Sequence, residues 1–226
     1  MAKSAPRQLA LALAHHESLA REDFLAGPSN AAALALIERW PDWPNRVLAL
    51  VGPAGSGKSH LAAIWAERAG ARLLAARALE EANLPAQLAT GALVLEDLRA
   101  GAIGETALFH LLNLAREERA FVLLTSRSAP AAWPLRIADL ASRLRAVPTA
   151  TLEAPDDGLL RAVLVKLFAD RQLAVDETLV GYLAVRIERS IAAARAAVAE
   201  LDAASLRLQR PVNRALAAAI LGDRES

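Results

Sequence analysis

Residues 52–59 read Gly-Pro-Ala-Gly-Ser-Gly-Lys-Ser, a complete G-x-x-x-x-G-K-[ST] string, and few strings of this length restrict a fold so tightly. The pattern works only between a buried strand and a helix. Both neighbours are present: Arg46-Val-Leu-Ala-Leu-Val51 is an apolar run, and His60-Leu-Ala-Ala-Ile-Trp-Ala-Glu-Arg68 has helical spacing. Gly52, Gly55 and Gly57, with Pro53, Ala54 and Ser56 between them, let backbone N–H groups turn inward around anionic oxygens. They do so at a helix N-terminus, whose dipole favours negative charge. Lys58 has the reach for the β- and γ-phosphates, and the Ser59 hydroxyl suits Mg2+. At ordinary residue usage a chance match in a chain of this size is roughly a one-in-a-hundred event. The expected ligand is ADP or ATP with Mg2+.

Composition narrows the remaining choices. At 226 residues the chain can hold one substantial domain and a smaller one. Hydrophobic residues make up 54%, much of it Ala, while aromatics are only 4%, so closely packed Ala-rich helices are expected. With 26 basic and 25 acidic side chains no global field draws nucleic acid, and any DNA contact should be indirect or weak. The absence of Cys excludes disulfides, thiolate metal sites and a cysteine nucleophile, and it fits a cytoplasmic protein. No apolar run approaches the ~18–20 residues that cross a bilayer, so no membrane is expected. The apolar part of the N-terminus, Leu9 to Ala14, runs straight into His15, His16 and Glu17, which argues against an export signal.

The apolar runs recur in alternation with helical patterns. Strands are expected at 46–51, 72–75, 92–96, 120–125 and 147–152, with helices at 58–69, 78–89, 104–118 and 136–145. That alternation predicts a parallel α/β sheet with helices on both faces. An earlier helix should start near Ser29 as N-cap and run to Trp40, followed by the turn Trp40-Pro-Asp-Trp-Pro44. After Glu153-Ala-Pro-Asp-Asp-Gly158 only helical patterns remain, at 157–171, 176–188, 190–207 and 211–221, with Asp156 or Asp157 and Asp176 as caps. The expected organisation is a tail (1–20), an α/β nucleotide domain (21–153) and a small all-helical lid (154–226).

A second nucleotide motif supports the first. Gly91-Ala-Leu-Val-Leu-Glu-Asp97 is an apolar strand ending in two acids, of which Glu96 would serve Mg2+ and Asp97 would polarise an attacking water. The strand Val122-Leu-Leu-Thr-Ser126 leaves Thr125 and Ser126 where the sheet meets the γ-phosphate, and Leu140-Ala-Ser-Arg-Leu144 places Arg143 at the end of the next helix. Arg143 is positioned either to cross a subunit boundary or to form a salt bridge within its own domain. His15, His16 and His110 read as surface or packing residues. Trp40, Trp43, Trp65 and Trp133 read as core or domain-junction anchors, and Arg207, Arg210 and Arg214 as a solvated helix face.

Together these stretches resemble the DnaA branch of the AAA+ ATPases. The resemblance rests on Gly-Ser-Gly-Lys-Ser-His-Leu (55–61), Ala-Leu-Val-Leu-Glu-Asp (92–97), Leu-Leu-Thr-Ser-Arg (123–127), Ala-Ser-Arg-Leu (141–144) and the helical lid, over about residues 20–221. A DnaA-like core without room for a helix-turn-helix domain is similar to the Hda-type regulators. Gln8-Leu-Ala-Leu-Ala-Leu13 is similar to the Q-L-x-L-x-L peptide by which such proteins dock on the β-subunit sliding clamp. The Gln8 amide would fill one subsite, and Leu9, Leu11 and Leu13 would present apolar side chains with period two. The resemblance implies the clamp and DnaA as partners, with homo-oligomerisation left open, and an alternative as a helicase-loader-type AAA+ ATPase. It also implies that Arg143 acts in trans on DnaA-bound ATP and thereby damps replication initiation.

Four departures from that pattern stand out. Glu96-Asp97 reverses the usual acid order, which predicts slow intrinsic hydrolysis. Arg127 stands where DnaA tends to carry Asp, and Asp139 where DnaA carries a basic residue. In Arg189-Ser-Ile-Ala-Ala-Ala-Arg195 the lid's sensor arginine is displaced by about one turn. Arg195 therefore replaces that sensor, or is a surface charge, or the contact is missing.

Overall fold

The five apolar runs lie side by side in one all-parallel sheet, in a computed structural model that describes residues 19–222. The strands are β1 (Val47–Val51), β2 (Arg72–Ala75), β3 (Ala92–Leu98), β4 (Phe121–Ser126) and β5 (Thr149–Thr151). Their order is β2-β3-β4-β1-β5, so the strand feeding the glycine-rich loop lies between β4 and β5. The Gln8–Leu13 segment lies outside the described residues.

Strand periodicity of two sends alternate side chains to opposite faces, and each face carries its own core. Leu48, Leu50, Val94, Leu123 and Ala150 pack against α1 (Ala31–Glu38) and α2 (Lys58–Ala69). Ala49, Val51, Leu93, Leu95, Val122 and Leu124 pack against α3 (Leu84–Leu88), α4 (Glu105–Glu117) and α5 (Ala138–Arg145). A third apolar cluster belongs to the four C-terminal helices: α6 (Asp157–Asp170), α7 (Glu177–Arg186), α8 (Ile191–Leu208) and α9 (Arg214–Leu221). These helices are capped by side chains that accept an N–H three residues on: Asp156 from Leu159, Asp176 from Leu179, Ser190 from Ala193 and Asn213 from Leu216.

Two local expectations fail. The helix expected over 78–89 is two 3-10 turns, Ala76–Ala78 and Glu81–Asn83, followed by the short α3. Pro85 can open a helix but cannot sit inside one, because it has no N–H to donate. The cap before α1 is Asn30 rather than Ser29. The Asn30 side chain bonds backwards instead, accepting from Gly27 N at 2.8 Å and donating to the Leu25 carbonyl at 3.0 Å. Trp43, Trp65 and Trp133 are buried and Trp40 partly so, with Trp43 stacked on Trp65 at a 4.9 Å centroid distance.

Candidate functional site

The site is built where β1 ends. Gly52 N donates to the Ser126 carbonyl at 3.2 Å, and Leu152 N donates to the Val51 carbonyl at 2.7 Å, so the loop base is pinned on both sides. A side chain on Gly52 would strike the Leu152 carbonyl oxygen. The loop then rises to meet the lid. Gly55 has φ +70°, and a Cβ there would lie 2.9 Å from Ser190 Cβ and 3.0 Å from Ala192 Cβ. At the same point Ile191 N donates to the Gly55 carbonyl at 2.8 Å. The start of α8 is thereby tied to the phosphate-loop backbone. Between them lies a cavity of about 330 Å³, lined by Gly55, Gly57, Lys58, Ser59 and His60 from below and by Ile191 and Arg195 from the lid. That volume is at the lower end of ordinary ligand sites. Arg195, a little over one turn into α8, thus lines the same cavity as Lys58 and Ser59.

Lys58 is half-buried and its Nζ donates to the Gly52 and Pro53 carbonyls at 2.8 and 2.7 Å. Burial pushes its pKa below the ordinary lysine value, the Arg127 charge adds to that, and Asp97 opposes it. A cation held among carbonyls and close to a second cation gains when an anion arrives. His60 is held by a 3.0 Å hydrogen bond between Nε2 and the Ala20 carbonyl and by an edge contact with Phe24. Burial lowers its pKa, which leaves a neutral ring at pH 7 whose Nε2–H is the donor.

At the end of β3 the two acids take different roles. Glu96 Oε1 is buried without a hydrogen-bond partner. A carboxylate oxygen left in that state is costly unless a cation or donor completes it. Together with the exposed Ser59 hydroxyl, it fits the donor set that Mg2+ takes. Asp97 is exposed, has φ +57°, and gives its backbone N–H to Thr125 Oγ1 at 3.0 Å. Its carboxylate is held by Arg99, at 2.7 Å from Nη2 and 3.2 Å from Nε. That hydrogen bond leads the causes that lower the Asp97 pKa. Ser126 is buried and its Oγ donates to the Ser128 carbonyl at 2.7 Å. Thr125 and Ser126 are therefore both engaged at the sheet end, Thr125 in fixing the turn of Asp97.

Arg143 is at the other end of the sheet. It lines a cavity formed by Val47, Ala120 and Val147, residues at or just before the starts of β1, β4 and β5. Its guanidinium is 3.1 Å from Asp139 and 5.3 Å from the Phe109 ring centroid. A five-residue strand is about 16 Å long, and that length separates Arg143 from the loop following Val51. The structure brings together the loop, Glu96, Asp97, Thr125, Ser126 and Arg195, and it keeps Arg143 apart.

Four further residues support this geometry. Arg99 restrains Asp97; it lies just beyond β3, and the left-handed backbone of Asp97 (φ +57°) brings the two together rather than any strand periodicity. Ser190 and Ile191 dock the lid, signalled only by the Ser cap. Glu105, at the start of α4, accepts from Arg136 N at 2.8 Å and Ile137 N at 3.0 Å and so fixes the approach to α5, with no local signal at all. His110 is a surface residue paired with Glu81 at 3.2 Å.

No protein-family model matches the chain, and no curated protein does. Solved structures do. Domain III of the Thermotoga maritima replication initiation protein DnaA superposes with a TM-score of 0.74 at 20% identity, over 91% of this chain and 96% of that one. AMPPCP-bound DnaA from Aquifex aeolicus gives 0.64 at 17% identity, over 80% of this chain and 64% of its own length. The Thermotoga maritima RuvB Holliday junction branch migration motor gives 0.61 at 15% identity, over 75% and 59%. The chain thus spans under two thirds of the longer Aquifex DnaA and RuvB chains. Its fold is the AAA+ fold of these proteins: a five-stranded parallel sheet flanked by helices, with a helical lid. Among the described residues no helix is long and apolar enough to cross a membrane.

Proposed function

We propose that the cavity between the phosphate loop and the lid holds ADP or ATP, with Lys58 and the loop amides on the phosphates and Arg195 closing from the lid. Ser59 and Glu96 would hold Mg2+, which supplies charge neutralisation on the phosphate oxygens. Bound AMPPCP in the DnaA structure from Aquifex aeolicus supports this reading. So does the Gly55–Ile191 hydrogen bond, which makes lid position depend on what fills the loop.

The nucleotide's role is to set a posture rather than to be consumed rapidly. The observation that carries this view is the separation of Arg143 from its own loop by the length of β1. An arginine so placed serves a phosphoryl group on another protein. We take that protein to be DnaA carrying ATP, with the Gln8-Leu-Ala-Leu-Ala-Leu13 tail tethering the chain to the sliding clamp and raising its local concentration. Arg143 in trans would stabilise charge on the transferred phosphoryl group, an effect worth about 10³–10⁵ in rate. DnaA-ATP becomes DnaA-ADP, and initiation is restrained.

The test measures ATP hydrolysis by DnaA with clamp-loaded DNA and this chain. Wild type should stimulate hydrolysis, Arg143→Ala should abolish stimulation while keeping nucleotide and clamp binding, and Gln8→Ala should release the clamp. Stimulation that survives Arg143→Ala rejects the trans role. Retention of a helicase without retention of the clamp moves the chain to the helicase-loader alternative.

A further inference from the structure

The cavity that Arg143 borders is the larger of the two described, about 590 Å³, and it lies at the end of the sheet away from the phosphate loop. Four arginines line it, Arg46, Arg116, Arg119 and Arg143, and among the described residues no Asp or Glu does. Its floor is apolar, with Trp43, Leu112 and Ala115.

The four cations are not equally occupied. Arg46 is a brace: its Nη1 donates to the Arg119 carbonyl at 3.0 Å and its guanidinium lies 4.6 Å from the Phe121 ring centroid. Arg143 is shared with Asp139. Neither Arg116 nor Arg119 forms an ion pair among the described residues. Two helix C-termini, of α4 and α5, also point their last carbonyls this way, and arginines near such ends are common. Each end carries only about half a negative charge, so the pair offsets about one of the four cations. A surplus of positive charge remains at a concave apolar-floored site, where charge repulsion is a cost until an anion enters.

We propose that this cavity binds a polyphosphate chain, with Arg116 and Arg119 as its main phosphate-binding side chains. The guanidinium fork suits phosphate oxygens, and the volume exceeds what a single small anion needs. The polyphosphate can come free from solution or be presented on a nucleotide held by a second copy of this chain. The assignment stands whether or not DnaA is the partner of Arg143.

The first arm uses inorganic tripolyphosphate with the full chain carrying Lys58→Ala, which disables the phosphate loop. Thermal protection and calorimetric binding should persist in this background. Adding Arg116→Ala and Arg119→Ala together should weaken binding by more than about tenfold. Arg145→Ala, which removes an exposed arginine of α5 that does not line the cavity, should leave binding unchanged. The second arm follows self-association of the chain with its loop intact, with and without ATP, by sedimentation. ATP-dependent association removed by the Arg116/Arg119 pair, without any effect on free tripolyphosphate, assigns the phosphate to a second copy. The proposal is overturned if both readouts ignore the Arg116/Arg119 pair, or if Arg145→Ala weakens binding as much as the pair does. Because the paired variant removes unpaired cations, its melting temperature without ligand should not fall, which separates lost binding from lost folding.

Discussion

Single residues decide whether this loop turns nucleotide over. Asp97 is the acid that would polarise water, yet Arg99 holds its carboxylate and lowers its pKa. A carboxylate of lower pKa is a weaker base. Intrinsic hydrolysis should therefore be slow, well below the ~10 per second of an ordinary enzyme, as single-turnover assays with ATP would show. Arg99→Ala should return the Asp97 pKa towards its ordinary value, upward, visible in a carboxyl NMR titration. The sign for stability follows. Because the folded pKa is depressed, the Asp97–Arg99 contribution is present above the unfolded value of 3.8 and is lost as pH falls through the folded value. At this scale the sequence shows residue types well and partners poorly. The phosphate loop and the Glu96-Asp97 pair are contiguous strings, so their chemistry is legible. That Arg99 would bind Asp97 depends on backbone angles that no string displays, whereas the Asp139–Arg143 pair is an i,i+4 spacing on one helix.

Elements were legible where burial is simplest. A strand covered on both faces must be apolar where it is covered, and β1 and the first four residues of β3 and of β4 are apolar runs for that reason, with polar side chains only where β3 and β4 end. The Asp156 and Asp176 caps are equally local, since each side chain reaches only three residues ahead. The segment 78–89 misleads because Leu79, Leu84 and Leu88 keep an apolar rhythm while Pro85 removes a donor. The position of α5 is not local at all, resting on Glu105 of α4 thirty residues upstream in sequence. Glu105→Ala should cost about 1.5–3 kcal/mol in urea denaturation, since two N–H groups lose a charged acceptor. Glu105→Gln should cost less, because an amide oxygen can still accept. Ser190→Ala should cost about 1 kcal/mol through the lost cap of α8.

Over the whole molecule, Leu25 packs against the lid's apolar cluster, and two polar contacts bear on how the lid is held. One is the loop contact at Gly55. The other is Lys166 of α6, whose Nζ is 2.6 Å from Asp23 and 3.0 Å from Asp170. The Asp23 hydrogen bond leads the causes that raise the Lys166 pKa. That contribution is complete below the unfolded value of 10.5 and disappears as pH rises through the folded value. Lys166→Met should flatten the alkaline limb of a stability–pH profile. Gly55→Ala should do something different, because the added methyl meets Ser190 and Ala192 and the residue must keep φ +70°. Nucleotide affinity should fall by more than tenfold in a titration, while the sheet core, distant from the change, keeps the cooperative unfolding of wild type.

The hydrogen bond from Ile191 to Gly55 also equips the chain with a single-proton gauge. Deuterium can reach that amide only when the lid lifts from the loop, so its exchange rate counts openings directly. Saturating ADP should slow exchange at Ile191 far more than at the amides inside β4, and a lid that ignores its ligand would leave both rates alike.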